Sequence, residues 1–162
     1  MDDVMPANDD PGQLIPWPVQ MLAPHSGTML LLDRAIQAGE TWAEAEVRIA
    51  EDSLFYEVGR GVPAWVGIEY MAQTVAMFDG LRRRRQGRSV SIGLLIGTRR
   101  YTVNTDWFGL GKVLTIRVEQ ELLDGNAGVF HCRLQARAIV AECRLNVYVP
   151  ADPMAFFKDH PA

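Results

Sequence analysis

The sequence predicts an α+β domain in which an antiparallel sheet wraps around one long central helix. Residues 63–85 form a single helical pattern whose apolar side chains fall on nearly all sides of the helix. The segments before and after it alternate apolar and polar residues with a period of two, as strands with one wet face do. A helix that is apolar all round needs cover on most sides, and a sheet can provide it only by curling.

Two strands are predicted before the helix. Residues 29–36 form an apolar run typical of a strand, and the Ala-Gly-Glu sequence at 38–40 ends it. Residues 43–49 predict the second strand because apolar residues alternate with charged ones. The apolar side consists of Ala43, Ala45, Val47 and Ile49, and the charged side consists of Glu44, Glu46 and Arg48. We expect the two strands to pair as a hairpin.

The helix over 63–85 is expected to begin at Pro63, since proline is favoured at the first helical position. The next proline in the sequence is Pro150, so none interrupts the helix. Its apolar side chains are Trp65, Val66, Ile68, Met71, Ala72, Val75, Ala76, Phe78 and Leu81. We therefore expect burial around most of the helix circumference.

An unbroken meander of strands is predicted after the helix. These strands cover residues 90–102, 112–123, 129–137 and 139–149. If residues 137–138 form a two-residue turn, Cys132 and Cys143 lie directly opposite each other on the apolar face. The segment 91–97 is apolar or small on both faces, which predicts that a partner subunit covers its outer face. This order of elements predicts the hot-dog fold, a single sheet wrapped around a central helix.

The composition suits one soluble domain, because 48% of the 162 residues are hydrophobic and 22% are charged. Residues 1–12 combine four aspartates with two prolines, so we expect an acidic disordered tail there and one domain over 13–162. The formal net charge of -4 argues against nucleic-acid binding. Two cysteines, no secretory signal and no membrane-spanning apolar segment predict a cytoplasmic protein.

Glu69 and Gln73 form a polar pair in the middle of the apolar helix. Their spacing of four residues places them one above the other on a single helix face. A buried carboxyl must be hydrogen-bonded, paired or shifted toward its neutral form, and a neutral carboxyl can act as a general acid. The pair is a candidate for proton transfer. The alternative is a structural brace, in which Glu69, Gln73 and a neighbouring arginine form a buried polar network.

The start of the helix provides a second candidate site. The backbone N–H groups of Ala64 and Trp65 have no acceptor within the helix, and Gly59, Gly61 and Pro63 bring the chain in closely. Such N–H groups stabilise a developing oxyanion. The alternative is an ordinary glycine-rich loop that leads into a helix.

Three segments carry motifs in a fixed order. They are Pro-His and Leu-Asp-Arg within 24–34, Glu-Tyr-Met-Ala-Gln at 69–73, and Gly-Thr-Arg-Arg-Tyr at 97–101. In order and spacing they resemble the hot-dog 3-hydroxyacyl-acyl carrier protein dehydratases of fatty-acid synthesis. Within that family the chain most resembles the dehydratase-like proteins of aryl polyene biosynthesis. The resemblance covers about residues 20–150.

The resemblance implies loss of water from a 3-hydroxyacyl thioester on acyl carrier protein, which gives a trans-2-enoyl thioester. Glu69 would assist departure of the hydroxyl, the Ala64 N–H would polarise the thioester carbonyl, and Gln73 would hold Glu69 in place. The phosphopantetheine-linked acyl chain would lie in an apolar tunnel along the helix, at the interface of a homodimer or of a heterodimer with a second hot-dog dehydratase. Neither a metal ion nor another cofactor is expected.

The sequence departs from this family at the general base. The family carries a histidine in a Gly-His-Phe-Pro stretch before the helix, whereas the corresponding residues 54–61 contain none. His25 is a candidate replacement, because imidazole titrates near neutral pH; the alternative is a structural histidine. Tyr56 and Glu57, in the loop before the helix, are further candidates, with loop packing as their alternative. His131 and His160 are expected at the surface.

Six arginines form a candidate docking surface for the acidic carrier protein. They are Arg82, Arg83, Arg84 and Arg85 at the end of the helix, and Arg99 and Arg100 in the following strand. The alternative is a solvated helix end, where cations meet the negative end of the helix dipole.

Three functions are consistent with these residues. The first is a 3-hydroxyacyl-acyl carrier protein dehydratase of fatty-acid-like or polyene biosynthesis, in which Glu69 and His25 transfer protons. The second is a non-catalytic acyl-binding subunit that has lost the base and stabilises a catalytic partner in a heterodimer. The third is a hot-dog thioesterase in which Glu69 activates water, and it needs a wetter pocket than this apolar helix indicates.

Overall fold

A computed structural model describes residues 10–152 together with 155, 158 and 159. Most of the predicted tail (1–9) and His160 lie outside these residues. The strands are β1 (Gln13–Leu14), β2 (Arg34–Ala38), β3 (Trp42–Arg48), β4 (Val62–Pro63), β5 (Leu94–Val103), β6 (Trp107–Phe108), β7 (Val113–Asp124), β8 (Ala127–Ala136) and β9 (Ile139–Tyr148), and the helix is α1 (Gly67–Arg85). Short 3₁₀ helices cover Val19–Met21, Gly27–Met29 and Ala64–Val66. The helix of the described part does not combine the length and hydropathy that a membrane span requires.

Seven strands form one antiparallel sheet in the order β1-β2-β3-β7-β8-β9-β5. The hairpin of β2 and β3 is confirmed, and β7, β8 and β9 form the predicted meander, with Cys132 directly opposite Cys143. The predicted position of β5 in that meander is wrong, because β5 pairs with β9 at the far edge of the sheet. The periodicity of a segment identifies a strand but not its neighbour. Here α1 crosses the sheet before β5 begins, and it delivers the chain to the opposite edge.

Strand β2 begins later than its apolar run predicts. Residues 29–36 were expected to pair, but β2 begins at Arg34. The side-chain amide of Gln73, on α1, hydrogen-bonds to two backbone groups of the segment before β2. Its Oε1 accepts a hydrogen bond from the Leu31 N–H at 2.8 Å, and its Nε2 donates one to the Met29 carbonyl at 2.8 Å. A helix side chain therefore satisfies the backbone groups that a neighbouring strand would otherwise bind.

The inner face of the curled sheet covers α1, as predicted for the hot-dog fold. Ten of the nineteen helix residues are buried, namely Gly67, Tyr70, Met71, Gln73, Thr74, Val75, Met77, Phe78, Gly80 and Leu81. Before the last turn, the half-buried residues are Ile68, Glu69, Ala72, Ala76 and Asp79. From Glu69 onward these recur every three or four positions, so they lie in one stripe along the helix. The predicted burial of most of the circumference is confirmed, and the stripe is one exception to it. Trp65 is another, because it is 59% exposed and α1 begins at Gly67 and not at Pro63.

Two glycines allow backbone segments to approach each other closely. Gly61 has a φ of +109°, and a Cβ there would lie 2.1 Å from the Phe108 carbonyl oxygen of the β4–β6 ladder. Gly80 packs against the first 3₁₀ helix, and a Cβ there would lie 1.7 Å from the Leu22 carbonyl oxygen. The segment leading to His25 therefore lies directly on the helix at Gly80.

Replacing Gly80 by alanine should destabilise the protein, although alanine is favoured over glycine inside a helix by about 1 kcal/mol. The added methyl group collides with backbone, which cannot rotate away, so we expect a loss of at least about 2 kcal/mol in the free energy of unfolding. Urea denaturation measures it. Gly109→Ala is the control, since the nearest atom to its Cβ is 3.9 Å away. A stabilised Gly80→Ala variant would contradict the close packing.

Candidate active site

Three predicted side chains meet on the accessible stripe of α1. Gln73 is fully buried, and its Nε2 donates to the Oε1 atom of Glu69 at 3.0 Å. The Nε2 atom of His25 lies 3.9 Å from the same oxygen. The side chains of His25 and Glu69 remain 28% and 46% exposed, so both can be reached from solvent. Within the described part of the chain, the basic side chain beside Glu69 is this histidine and not the arginine of the proposed brace.

The Gln73 amide uses all of its main hydrogen-bonding groups. Its Nε2 donates to Glu69 and to the Met29 carbonyl, and its Oε1 accepts from the Leu31 N–H. An amide NH₂ group has two donors, so neither is left unbound. Gln73 therefore orients the carboxyl group and also fixes to the helix the segment that follows His25.

The two ring nitrogens of His25 differ in their surroundings. Nε2 faces Glu69, whereas Nδ1 is buried without a hydrogen-bond partner among the described residues. Because Nδ1 is closed off from solvent, a proton can reach or leave the ring only through Nε2. The ring is thus arranged to exchange a proton on the side of the Glu69 carboxyl.

A cavity of about 210 Å³ opens beside Glu69 and His25 and follows the helix stripe. The helix contributes Ala72, Val75, Ala76, Phe78 and Asp79 to its wall. The opposite wall is a cross-strand row on the inner face of the sheet, formed by Leu123, Gly128, Val147 and Leu95. Arg82 and Gln120 also line the cavity. The family resemblance implied an apolar tunnel along the helix, and the cavity follows that course.

Gly128 and Phe130 shape the cavity floor, and sequence reasoning did not find them. A Cβ at Gly128 would lie 3.0 Å from the Phe130 ring and 3.4 Å from a Val147 methyl group, so glycine keeps the floor low. The Phe130 ring packs edge-on against Phe78 at a centroid distance of 6.3 Å. Phe130 faces inward because alternate residues of β8 are buried, but only the register of the sheet shows which inward residues line the cavity.

The predicted oxyanion site at Ala64 has a different arrangement. The Ala64 N–H donates to the Asp106 carbonyl at 2.9 Å, because pairing between β4 and β6 continues for one more residue. The Ala64 carbonyl accepts a hydrogen bond from the Tyr101 hydroxyl at 2.5 Å. Ala64 is not among the residues that line the cavity. The donor that was expected to bind a thioester carbonyl is therefore occupied by backbone.

Tyr101 is a residue whose role at the helix start the sequence did not reveal. Burial raises the pKa of its hydroxyl to about 12, so it remains protonated and can donate to Ala64. Gly67 makes room for it, since a Cβ at Gly67 would lie 2.4 Å from the Tyr101 oxygen. The contact joins residues 37 positions apart, and a pattern local to either segment could not show it.

Tyr56 does not join Glu69. It lies in a separate surface depression with Phe55, Arg60, Trp65 and other residues, and is not among those lining the cavity. His131 lies on β8 opposite Glu119 on β7 and Arg144 on β9, away from Glu69. Of the three histidines in the chain, the described structure brings His25 to the carboxyl.

Three of the six predicted docking arginines are held by the fold. Arg83 pairs with Asp79 at 2.7 Å, and the Arg84 Nε donates to the Met21 carbonyl at 2.7 Å. Arg82 donates to Gln120 inside the cavity wall. These contacts explain why a run of four cations is tolerated at the end of one helix.

The other three arginines are exposed and form no side-chain hydrogen bond or ion pair with any described residue. They are Arg85, Arg99 and Arg100. Arg99 lies opposite the exposed Arg144, on the outer face of the sheet, whereas Arg85 ends the helix on the inner face. The six residues therefore do not form one continuous surface in the isolated chain.

The buried cysteines lie in the core. The Sγ atom of Cys143 is 3.2 Å from the Met71 Sδ atom, and burial raises the pKa of the Cys132 thiol.

Within the described ranges, no three His, Cys, Asp or Glu side chains gather into a cluster that could hold a metal ion.

A family model described as ApeP-like, ApeP dehydratase, matches residues 17–158. The chain belongs to the ApeP-like dehydratase family. A chain of the dehydratase heterocomplex ApeI:P from Xenorhabdus doucetiae is similar to it, with 27% identity and a TM-score of 0.82. The similarity covers 90% of this chain and 99% of that one. These findings confirm the predicted family and, with it, the hot-dog fold.

More distant solved structures share the fold alone. The Escherichia coli PaaI protein of the phenylacetic acid degradation operon is 12% identical, with a TM-score of 0.55 over 72% of this chain and 78% of that chain. A hypothetical thioesterase with coenzyme A from Streptococcus pneumoniae is 13% identical, with a TM-score of 0.52 over 68% and 82%. No curated protein matches the sequence.

Replacing Gln73 by methionine tests its role as the link between helix and strand. The variant keeps the volume but loses three hydrogen bonds, and it leaves the Leu31 N–H and the Met29 carbonyl unsatisfied. We expect the free energy of unfolding to fall by about 2 to 4 kcal/mol, measured by urea denaturation. The control Gln20→Met, at an exposed position, should change it by less than about 0.5 kcal/mol. Equal effects of the two variants would show that the Gln73 bonds contribute nothing.

Proposed function

We propose that this protein takes part in the dehydration of a 3-hydroxyacyl thioester on acyl carrier protein, giving a trans-2-enoyl thioester in polyene or fatty-acid-like biosynthesis. The observation that carries the proposal is the pairing of His25 and Glu69, 3.9 Å apart, at the side of an apolar cavity. An imidazole and a carboxyl are the groups that a proton abstraction and the departure of a hydroxyl need. Membership of a dehydratase family supports the same reaction class.

In this proposal the two side chains share one proton. His25 Nε2 removes a proton from C2 of the acyl group, and the electrons of that C–H bond form the C2=C3 double bond. The C3–O bond breaks, and the Glu69 carboxyl protonates the departing hydroxyl, which leaves as water. His25 then returns its proton to Glu69. Because Nδ1 of His25 is enclosed, every transfer occurs at Nε2.

Gln73 acts as a positioning residue in this scheme. Its Nε2 holds the Glu69 Oε1 atom at 3.0 Å, which leaves the other carboxyl oxygen of Glu69 for the substrate hydroxyl. The Ala64 N–H takes no part, because it is bound to the Asp106 carbonyl. The apolar walls of the cavity would receive the acyl chain and exclude water from it.

A second hot-dog dehydratase is the partner that we propose. The support is the similarity to a chain of the ApeI:P complex, which is described as a dehydratase heterocomplex.

The same similarity favours a second candidate function, that of a non-catalytic acyl-binding subunit. The separation of 3.9 Å between His25 and Glu69 is longer than a hydrogen bond, and residues 54–61 contain no histidine. In both cases, acyl carrier protein would supply the acyl chain, and exposed Arg85, Arg99 or Arg100 would contact its acidic surface.

Glu69→Gln and His25→Asn test the enzyme. Each should lower the rate of dehydration by about a hundredfold or more, because each removes one proton-transfer group and keeps the shape. The protein is assayed together with its dehydratase partner on 3-hydroxyacyl carrier protein, and loss of one water is followed by mass spectrometry. The matched control is Glu57→Gln, which changes an exposed carboxyl outside the cavity and should retain the native rate.

The outcomes separate the candidate functions. Loss of turnover in both variants with a stable complex supports catalysis by this chain. Turnover that survives both changes would make the protein the non-catalytic subunit, with the reaction carried out on the partner. Free acid in place of the enoyl thioester would identify a thioesterase.

A further inference from the structure

We propose that Arg82 and Gln120 form the stop that limits how long an acyl chain the cavity accepts. The inference rests on the proposed function, in which the cavity holds the acyl group of a thioester. It assigns Arg82 to substrate specificity, whereas the sequence placed this arginine in a surface that docks the carrier protein.

Contacts from three elements hold the Arg82 guanidinium in place. Its Nη1 donates to the Gln120 Oε1 atom at 2.6 Å, and its Nη2 donates to the Glu40 carbonyl at 3.3 Å. The guanidinium carbon lies 4.7 Å from the centroid of the Phe78 ring, within the range of a cation–π contact. Gln120 is itself anchored, since its backbone N–H donates to the Thr41 carbonyl at 2.8 Å. The turn between β2 and β3, together with β7, therefore closes this end of the helix.

The reacting groups and this closure lie at opposite ends of the helix stripe. Glu69 and Arg82 are separated by 82 − 69 = 13 residues, which corresponds to about 20 Å along the axis of α1. Both line the same cavity, with the small residues Ala72 and Ala76 between them. The thioester must lie at Glu69 and His25, which are open to solvent. An acyl chain attached there extends toward Arg82.

A chain that reaches Arg82 meets a chemical barrier as well as a steric one. To extend further it must break the charge-assisted hydrogen bond between the guanidinium and Gln120. A hydrocarbon chain offers no acceptor in exchange, so a partly buried cation would lose a partner without compensation. Chains up to this length lose nothing, whereas longer chains carry the cost of displacing the pair.

The test uses straight-chain 3-hydroxyacyl carrier proteins of increasing length with the protein in complex with its partner. Binding and turnover are both measured for the native chain, Arg82→Ala and Gln120→Ala. We expect both variants to accept longer chains than the native protein, with kcat/KM for those chains rising about tenfold or more per newly accommodated methylene. Short chains should react as before. A role in fold stability alone would affect all lengths equally.

Two further variants keep the result interpretable. Arg84→Ala removes an arginine from the same turn that bonds a backbone carbonyl outside the cavity, and it should leave the length profile unchanged. Gly128→Val fills the cavity floor beside Phe130 and Val147, and it should weaken binding of long chains specifically.

The two proposals fail in different ways. If Gly128→Val discriminates by length while Arg82→Ala and Gln120→Ala keep the native profile, the stop is refuted and the acyl cavity stands. If the native protein and Gly128→Val bind all lengths alike, the cavity does not hold the acyl chain, and both proposals are refuted. Equal weakening at every length in Arg82→Ala would also overturn the stop, because it would indicate contact with the carrier and not with the chain end.

Discussion

The arrangement of the site depends on one buried amide. Gln73 is fully enclosed, and it bonds the carboxyl of Glu69 and two backbone groups of the segment that follows His25. A buried amide is costly unless its groups are satisfied, and here the partners that satisfy it are those that bring the histidine to the carboxyl. The same bonds delay the start of β2, because they occupy the Leu31 N–H and the Met29 carbonyl, which a neighbouring strand would otherwise bind. Stability and site geometry thus have a common origin.

The helix serves the core and the cavity with different faces. Most of its circumference is buried against the sheet, whereas the stripe from Glu69 to Asp79 faces the cavity. The packing of the other helix faces makes this stripe rigid, and rigid elements position reactive groups more precisely than loops do. The arginines at the end of the helix are likewise divided between the cavity and other contacts. Arg82 closes the cavity, and Arg83 and Arg84 bond to Asp79 and to the Met21 carbonyl.

Several features of the site follow from local sequence, and others do not. The spacing of Glu69 and Gln73 predicted their contact, because four residues make one helical turn. His25 was selected by chemistry, and the fold places it beside the carboxyl. The Ala64 N–H was expected to be free to bind a carbonyl, but it donates to the backbone carbonyl of Asp106. That acceptor lies 42 residues away in the sequence, so no local pattern could reveal it. The docking surface of arginines is divided between the two faces of the sheet, which a linear run cannot reveal.

The sequence by itself determined the class of the fold, the end of its helix at Arg85 and the alternation of its strands, since these depend on periodicities within one segment. It also determined that a carboxyl and an amide share one helix face. Only the tertiary structure decided that β5 lies at the far edge, that backbone occupies the Ala64 N–H, and that Gly128, Phe130, Arg82 and Gln120 enclose a cavity. These features depend on the register and the order of strands that are distant in sequence. The local sequence pattern of a strand does not determine which other strand pairs with it.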